Sequence, residues 1–153
     1  MRISRPALVI IALIATFTAH GAAQNRDVQK KLQREVASGT ASFATIARSD
    51  DAYQKARDAH DLDGAHKVLG QTGSFKGTVT QLFEERDGDL VILDFDKNYR
   101  AAMTAIVRNV DFSKFPDMKA LEGKEIVVSG KFSEYQGRAQ IELTDPGQIQ
   151  LVR

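Results

Sequence analysis

Apolar positions follow a helical spacing up to about residue 70 and a spacing of two after it, so the chain changes structural type once along its length. Between Asn25 and Gly70, Val28, Leu32 and Val36 sit at i, i+4 and i+8 with Lys30, Lys31 and Arg34 around them, which predicts a short amphipathic helix. Gly39 and Thr40 break it, and Phe43, Ile46 and Ala47 form a second apolar patch. Ser49 and Asp50 offer an N-cap for a helix through Tyr53, Ala56 and Ala59, which Gly64 interrupts or ends. A last turn carrying Val68 and Leu69 stops at Gly70. Residues 24–69 therefore read as a helical extension.

From Ser74 the alternation predicts strands. Phe75, Val79 and Phe83 alternate with Lys76, Thr78, Thr80 and Leu82 in one long strand, with Gly77 on its inner face marking a bulge or bend. Arg86-Asp87-Gly88-Asp89 is the strongest hairpin signal. Leu90 to Phe95 and Ala102 to Arg108 give the second and third strands. Asp111 to Leu121 is too long for a hairpin loop and predicts one or two helical turns. Lys124 to Phe132 and Ala139 to Thr144 follow as strands joined by a turn at Tyr135–Arg138, with a short last strand at Gln148–Val152. The fold class expected is mainly β with an N-terminal helical segment: a five-stranded OB-fold barrel over residues 70–153, with a short helix between strands three and four. Closure buries the inward set, Phe75, Val79, Phe83, Val91, Leu93, Phe95, Ile126, Val128, Phe132, Ile141 and Leu143.

The segment Leu121-Glu122-Gly123-Lys124-Glu125-Ile126-Val127-Val128-Ser129-Gly130-Lys131-Phe132, then Tyr135-Gln136-Gly137-Arg138-Ala139-Gln140-Ile141 and Asp145-Pro146-Gly147-Gln148-Ile149, resembles the second half of small bacterial OB-fold domains of the tRNA-anticodon-binding type. The resemblance covers roughly residues 70–152. It implies a ligand face across strands two and three, flanked by the loops Glu84–Asp89 and Glu134–Arg138. The first loop departs from a phosphate-binding pattern, because Glu84, Glu85, Asp87 and Asp89 stand against Arg86 alone.

The first 23 residues read as a signal peptide: Arg2 and Arg5, an apolar run from Ala7 to Phe17, and the small-residue stretch Ala19-His20-Gly21-Ala22-Ala23. As a retained anchor, that apolar run would span only about 16 Å against a hydrocarbon core of roughly 30 Å. The expectation is an exported, periplasmic or secreted protein with no stable membrane span after cleavage near Ala23. With no cysteine there is neither a disulfide nor a lipid attachment site. Setting aside Arg2 and Arg5 from 21 Lys+Arg leaves 19 against 20 Asp+Glu, so the exported part is nearly neutral and global charge gives nucleic-acid binding no support.

Candidate ligand-binding residues are Lys76, Arg108 and Lys131 on outward strand positions, with Tyr99, Arg100, Tyr135 and Arg138 near the rims for stacking and charge. Asp94, Asp96 and Arg108 are the residues a metal-dependent nuclease could use, although their spacing does not require it. The acidic hairpin lacks the ligand spacing of an EF-hand. His60 and His66 would lie about 240° apart on one helix and so could not chelate one metal. No catalytic signature, metal site or cofactor is expected. The leading expectation is a non-catalytic exported OB-fold protein that binds single-stranded nucleic acid or another anionic oligomer; the alternative is a periplasmic protein-interaction or envelope-stress module with an envelope protein partner. Expression of the full sequence in an export-competent bacterium should yield a product starting near Gln24 by intact mass. A product that keeps residues 1–23 would contradict the signal assignment.

Overall fold

The computed structural model describes residues 42–153; the expected signal at 1–23 and the amphipathic helix around Val28, Leu32 and Val36 lie outside them. The described chain forms nine strands, β1 Ala44–Ile46, β2 Arg57–Asp58, β3 Thr72–Thr78, β4 Gln81–Glu84, β5 Leu90–Asp94, β6 Thr104–Arg108, β7 Glu125–Tyr135, β8 Arg138–Leu143 and β9 Ile149–Val152. Two short α-helices, α1 Asp51–Lys55 and α2 Leu62–His66, precede β3.

The strand pairings run in a circuit. β3 pairs with β7, β7 with β8, β8 with β6, β6 with β5 and β5 with β4, and β4 returns to β3 through Val79 and Thr80. All are antiparallel except β6 with β8. The result is a mainly β, OB-like curled sheet. At the corner, Val79 N–H donates to the Lys124 carbonyl at 3.0 Å and Thr80 N–H to the Asp94 carbonyl at 2.8 Å, so both flanks stay bonded as the chain turns. The core fills with the inward positions, including Phe75, Leu93, Phe95, Phe132 and Ile141, with Ala105 and Val107 of β6, and with Met103 just before it.

Several expectations need correction. The long strand from Ser74 to Phe83 is two strands, and its bend lies at Val79–Thr80. Gly77 makes no bulge: its register with Ile126 is continuous. It is glycine because a Cβ there would come within 2.9 Å of both Ala59 Cβ and Phe95 Cδ1. Phe83 faces outward and is 51% exposed, since Leu82 takes the inward position opposite Leu93. The helix expected between the third and fourth barrel strands is instead a pair of 3-10 helices, Asn109–Lys114 and Met118–Leu121, and the α-helices stand ahead of the barrel.

Among the described residues, the segment before β3 is also less helical than its composition predicts. α1 ends at Lys55 because Ala56 turns to extended backbone, which lets Arg57 and Asp58 pair with Phe75 and Lys76. β1 pairs in parallel with β9, and Phe43, Ala59 and Ala65 join the barrel core. Ala59 is a hub: its N–H donates to the Lys76 carbonyl and its carbonyl accepts from Met103 N–H, each at 2.8 Å. Ile46, Ala56 and Val127 form a second small core with Tyr53 and Val152 against it. No helix among the described residues is long and apolar enough to cross a membrane.

Gly77→Ala should cost about 1–3 kcal/mol of stability, because the added methyl overpacks Ala59 and Phe95. Urea denaturation followed by circular dichroism measures it; an unchanged midpoint would refute this account of Gly77.

Candidate ligand platform

Two connections on one rim carry the exposed aromatic and cationic side chains. In the β5–β6 loop, Asp96 Oδ1 accepts from Asn98 N–H at 2.8 Å and Asn98 Oδ1 from Arg100 N–H at 3.2 Å. These side-chain-to-backbone bonds fold the loop back on itself and leave Tyr99 at its exposed tip. Across from it, β7 and β8 are joined by Gln136 and Gly137, both left-handed with φ of 51° and 77°. That pair is the mirror-image turn that matches strand twist, and it sets Tyr135 directly opposite Arg138.

The two connections meet through Arg138. Its Nη1 donates to the Tyr99 carbonyl at 3.2 Å and its guanidinium carbon lies 4.7 Å from the centre of the Tyr99 ring. The Arg100 guanidinium lies 5.4 Å from the same centre and its Nε donates to Tyr99 Oη at 3.1 Å. Two cations thus share one ring. Among the described residues, no carboxylate pairs with either arginine. Tyr135, 57% exposed, adds a second aromatic side chain on the neighbouring turn.

The outer face below this rim is ordered by register. Gln81, Asp94, Thr104, Gln140 and Ser133 follow one another across β4, β5, β6, β8 and β7 in successive pairs. Asp94 Oδ2 accepts from Gln81 Nε2 at 3.0 Å, whereas Asp94 Oδ1 is buried without a hydrogen-bond partner. The next row is apolar, Phe83, Ile92 and Ile106. The acidic hairpin Glu84–Asp89 precedes Leu90, at the opposite end of β5 from the β5–β6 loop, about 17 Å away at strand rise. Its charge therefore does not oppose the cationic rim directly.

Of the seven expected ligand residues, the structure brings together Tyr99, Arg100, Tyr135 and Arg138. It places the other three elsewhere. Lys76 is half-buried, with its Nζ 3.0 Å from the Tyr53 carbonyl and 4.2 Å from the Tyr53 ring centre. That tyrosine donates to Glu125 Oε1 at 2.7 Å, while Arg48 Nη2 donates to Glu125 Oε2 at 2.6 Å, so Lys76 belongs to the clamp that holds α1 on the sheet. Arg108 pairs with Glu142 at 2.9 Å toward the acidic end of β6, and Lys131 is exposed on β7 opposite Thr72. Asp94, Asp96 and Arg108 do not converge: Asp94 faces Thr104 whereas Arg108 faces Leu90 at the other end of the ladder. Among the described residues, no group of three or more His, Asp or Glu side chains could hold a metal ion.

The sequence reading missed the two histidines, which do not share a continuous helix. His60 Nδ1 lies 2.9 Å from Asp58 Oδ1 and its Nε2 lies 3.1 Å from Asp96 Oδ2. His66 Nδ1 lies 2.7 Å from the Leu62 carbonyl and its Nε2 3.2 Å from the Gly137 carbonyl. The flanking acceptors raise both imidazoles above the usual histidine range, Asp58 first for His60 and the Leu62 carbonyl first for His66. Asp58 is held below the usual carboxylate range chiefly by the His60 backbone N–H, and Asp96 chiefly by that of Asn98. Only the Asx spacing of Asp58 and His60 was available in sequence to flag the first of them.

No protein-family model matches the chain, and no curated protein matches it. Among solved structures it is similar to the aspartyl-tRNA synthetase of Entamoeba histolytica, at 12% identity and a TM-score of 0.48 over 71% of this chain. It is also similar to a protein assigned as an aspartyl-tRNA synthetase of Leishmania major Friedlin, at 10% identity and a TM-score of 0.46 over 84% of this chain. The chain spans 24% and 26% of those two chains. A chain in the structure of an OBody bound to hen egg-white lysozyme matches at 21% identity and a TM-score of 0.38, over 56% of this chain and 82% of that one. At such scores the fold rests on the strand pairings themselves.

The division between platform and clamp predicts unequal effects on stability. Lys76→Ala should cost about 1–2 kcal/mol through its lost ring contact and hydrogen bond, while Arg138→Ala, which removes a side chain half-buried against a tyrosine at an exposed loop tip, should cost under about 1 kcal/mol. Chemical denaturation of both variants measures this, and a larger loss for Arg138→Ala would reverse the assignment.

Proposed function

We propose that this chain is a non-catalytic, exported OB-fold binding protein whose platform engages single-stranded nucleic acid or another extended anionic oligomer. The observation that carries the reading is the pair of guanidiniums on one exposed tyrosine, without carboxylate partners among the described residues. A flat ring offers a stacking surface to any base, and the arginines beside it supply charge and in-plane donors to phosphate or carboxylate groups. Tyr135 extends the stacking surface along the rim. Gln81, Gln140 and Ser133, the accessible members of the polar row, offer donors and acceptors to the units that lie across the face.

A second reading, a protein-interaction module of the cell envelope, is favoured by the exposed apolar side chains Phe83 and Val110, 51% and 75% exposed. The near-neutral balance of charge fits it as well.

Fluorescence anisotropy of labelled single-stranded oligonucleotides distinguishes the two. The first reading predicts binding that weakens as salt rises, and Tyr99→Ala should weaken it by about 5- to 150-fold, the range of one lost base stack. Absence of salt-sensitive binding up to about 100 µM, the weak end of non-specific association, would overturn it.

A further inference from the structure

We propose that His60 and His66 are positioning residues that, as imidazolium ions, clasp the two halves of the platform to the segment before β3. The inference rests on the proposed ligand platform, but its geometry stands apart from any ligand. His60 ties β2 to the β5–β6 loop, and His66 ties α2 to the β7–β8 turn. Those connections carry Tyr99 and Arg100 on one side and Tyr135 and Arg138 on the other. The two histidines are separated by a short stretch that includes α2, so one segment spaces both halves.

The hydrogen-bond inventory favours the protonated state. A neutral imidazole has one N–H and one lone pair, whereas the cation has two N–H groups. Every partner of these rings accepts: the Asp58 and Asp96 carboxylates for His60, the Leu62 and Gly137 carbonyls for His66. A neutral ring would satisfy only one partner and set a lone pair against the other. The surrounding charges favour the cation. His60 faces Asp58 from β2 and Asp96 from the β5–β6 loop, with Lys76 of β3 and Lys97 acting on those carboxylates. His66 faces Asp63 of its own helix and Glu134 of β7, whose Oε2 is 3.7 Å away, with Arg138 next to Gly137 in the turn.

The sign follows from linkage. Both imidazoles titrate above their unfolded value of about 6.5, so the clasp is complete below that pH and is lost as pH rises through the folded values. When it opens, the β5–β6 loop loses its tie to β2 and the β7–β8 turn loses its tie to α2. The platform then keeps its residues while losing its fixed spacing.

Amide hydrogen exchange of the ligand-free mature protein tests this, with rates corrected for intrinsic pH dependence and referred to the core amides of Phe75 and Ile141. Asn98, Arg100 and Ala101 should exchange about tenfold faster above the His60 transition than below it, relative to the core, as should the Tyr135–Arg138 turn across that of His66. His60→Gln should abolish the pH dependence in the first loop only, and His66→Gln in the turn only. Equal protection at both pH values, or a dependence that survives both substitutions, would overturn the clasp. Because no ligand is present, oligonucleotide binding can fail without affecting this result, and a flat exchange profile beside intact binding would refute the clasp alone.

Discussion

The architecture depends on one strand serving two neighbours along a single edge. β7 pairs with β3 on one side from Glu125 to Lys131, while on the other it pairs first with β9 at Ile126–Val128 and then with β8 from Phe132 to Tyr135. The change of partner leaves a gap from Ser129 to Lys131, and Gln148 reaches into it at Ser129. Its Nε2 donates to the Ser129 carbonyl at 2.9 Å, and its Oε1 accepts from Thr144 N–H at 2.7 Å and Asp145 N–H at 3.0 Å. One side-chain amide thus satisfies backbone groups that would otherwise lack partners where β8 ends and β9 begins. The strand that closes the circuit also carries Tyr135 out to the rim.

Position on the circuit then separates charges that look contradictory in sequence. The same register that sets Leu90 opposite Arg108 sets Asp94 opposite Thr104, so β5 has an acidic end and a polar end. Because β6 and β8 run in parallel, Thr104 meets Gln140 and the β8 start lies beside the β5–β6 loop. Arg138 can therefore reach Tyr99. The near-neutral total of charge conceals a rim where two guanidiniums converge on one ring and, at the far end of β5, a hairpin rich in acidic residues.

Much of the barrel was legible because strands such as β8 bury alternate positions, and burial imposes alternation that a single sequence displays. Phe75, Leu93 and Ile141 are inward as their spacing requires. The elements before β3 were not legible for the converse reason. β1 and β2 are three and two residues long, too short for a period, and are held by pairing with β9 and β3 rather than by pattern. Ala56 and Ala59, which fit a helix by spacing, are buried because extended backbone carries them into two different cores. The platform was half legible: residue type pointed to Tyr99, Arg100, Tyr135 and Arg138, but also to Lys76, whose cation is engaged by Tyr53. Composition cannot tell a cation that pins a helix to the sheet from one that gathers at a loop tip. The histidines were missed because their partners, Asp96 and Gly137, are distant in sequence.

The central claim is that ligand recognition belongs to the rim formed by the β5–β6 loop and the β7–β8 turn. Mapping backbone amide shifts of the isotopically labelled protein, as a short single-stranded oligonucleotide is added, tests it most directly. The account predicts perturbations centred on Tyr99, Arg100, Tyr135 and Arg138 and continuing along Thr104 and Gln140, with the Glu84–Asp89 hairpin unmoved. Perturbations confined to that hairpin or to the β1–β9 edge, or none at all, would contradict it.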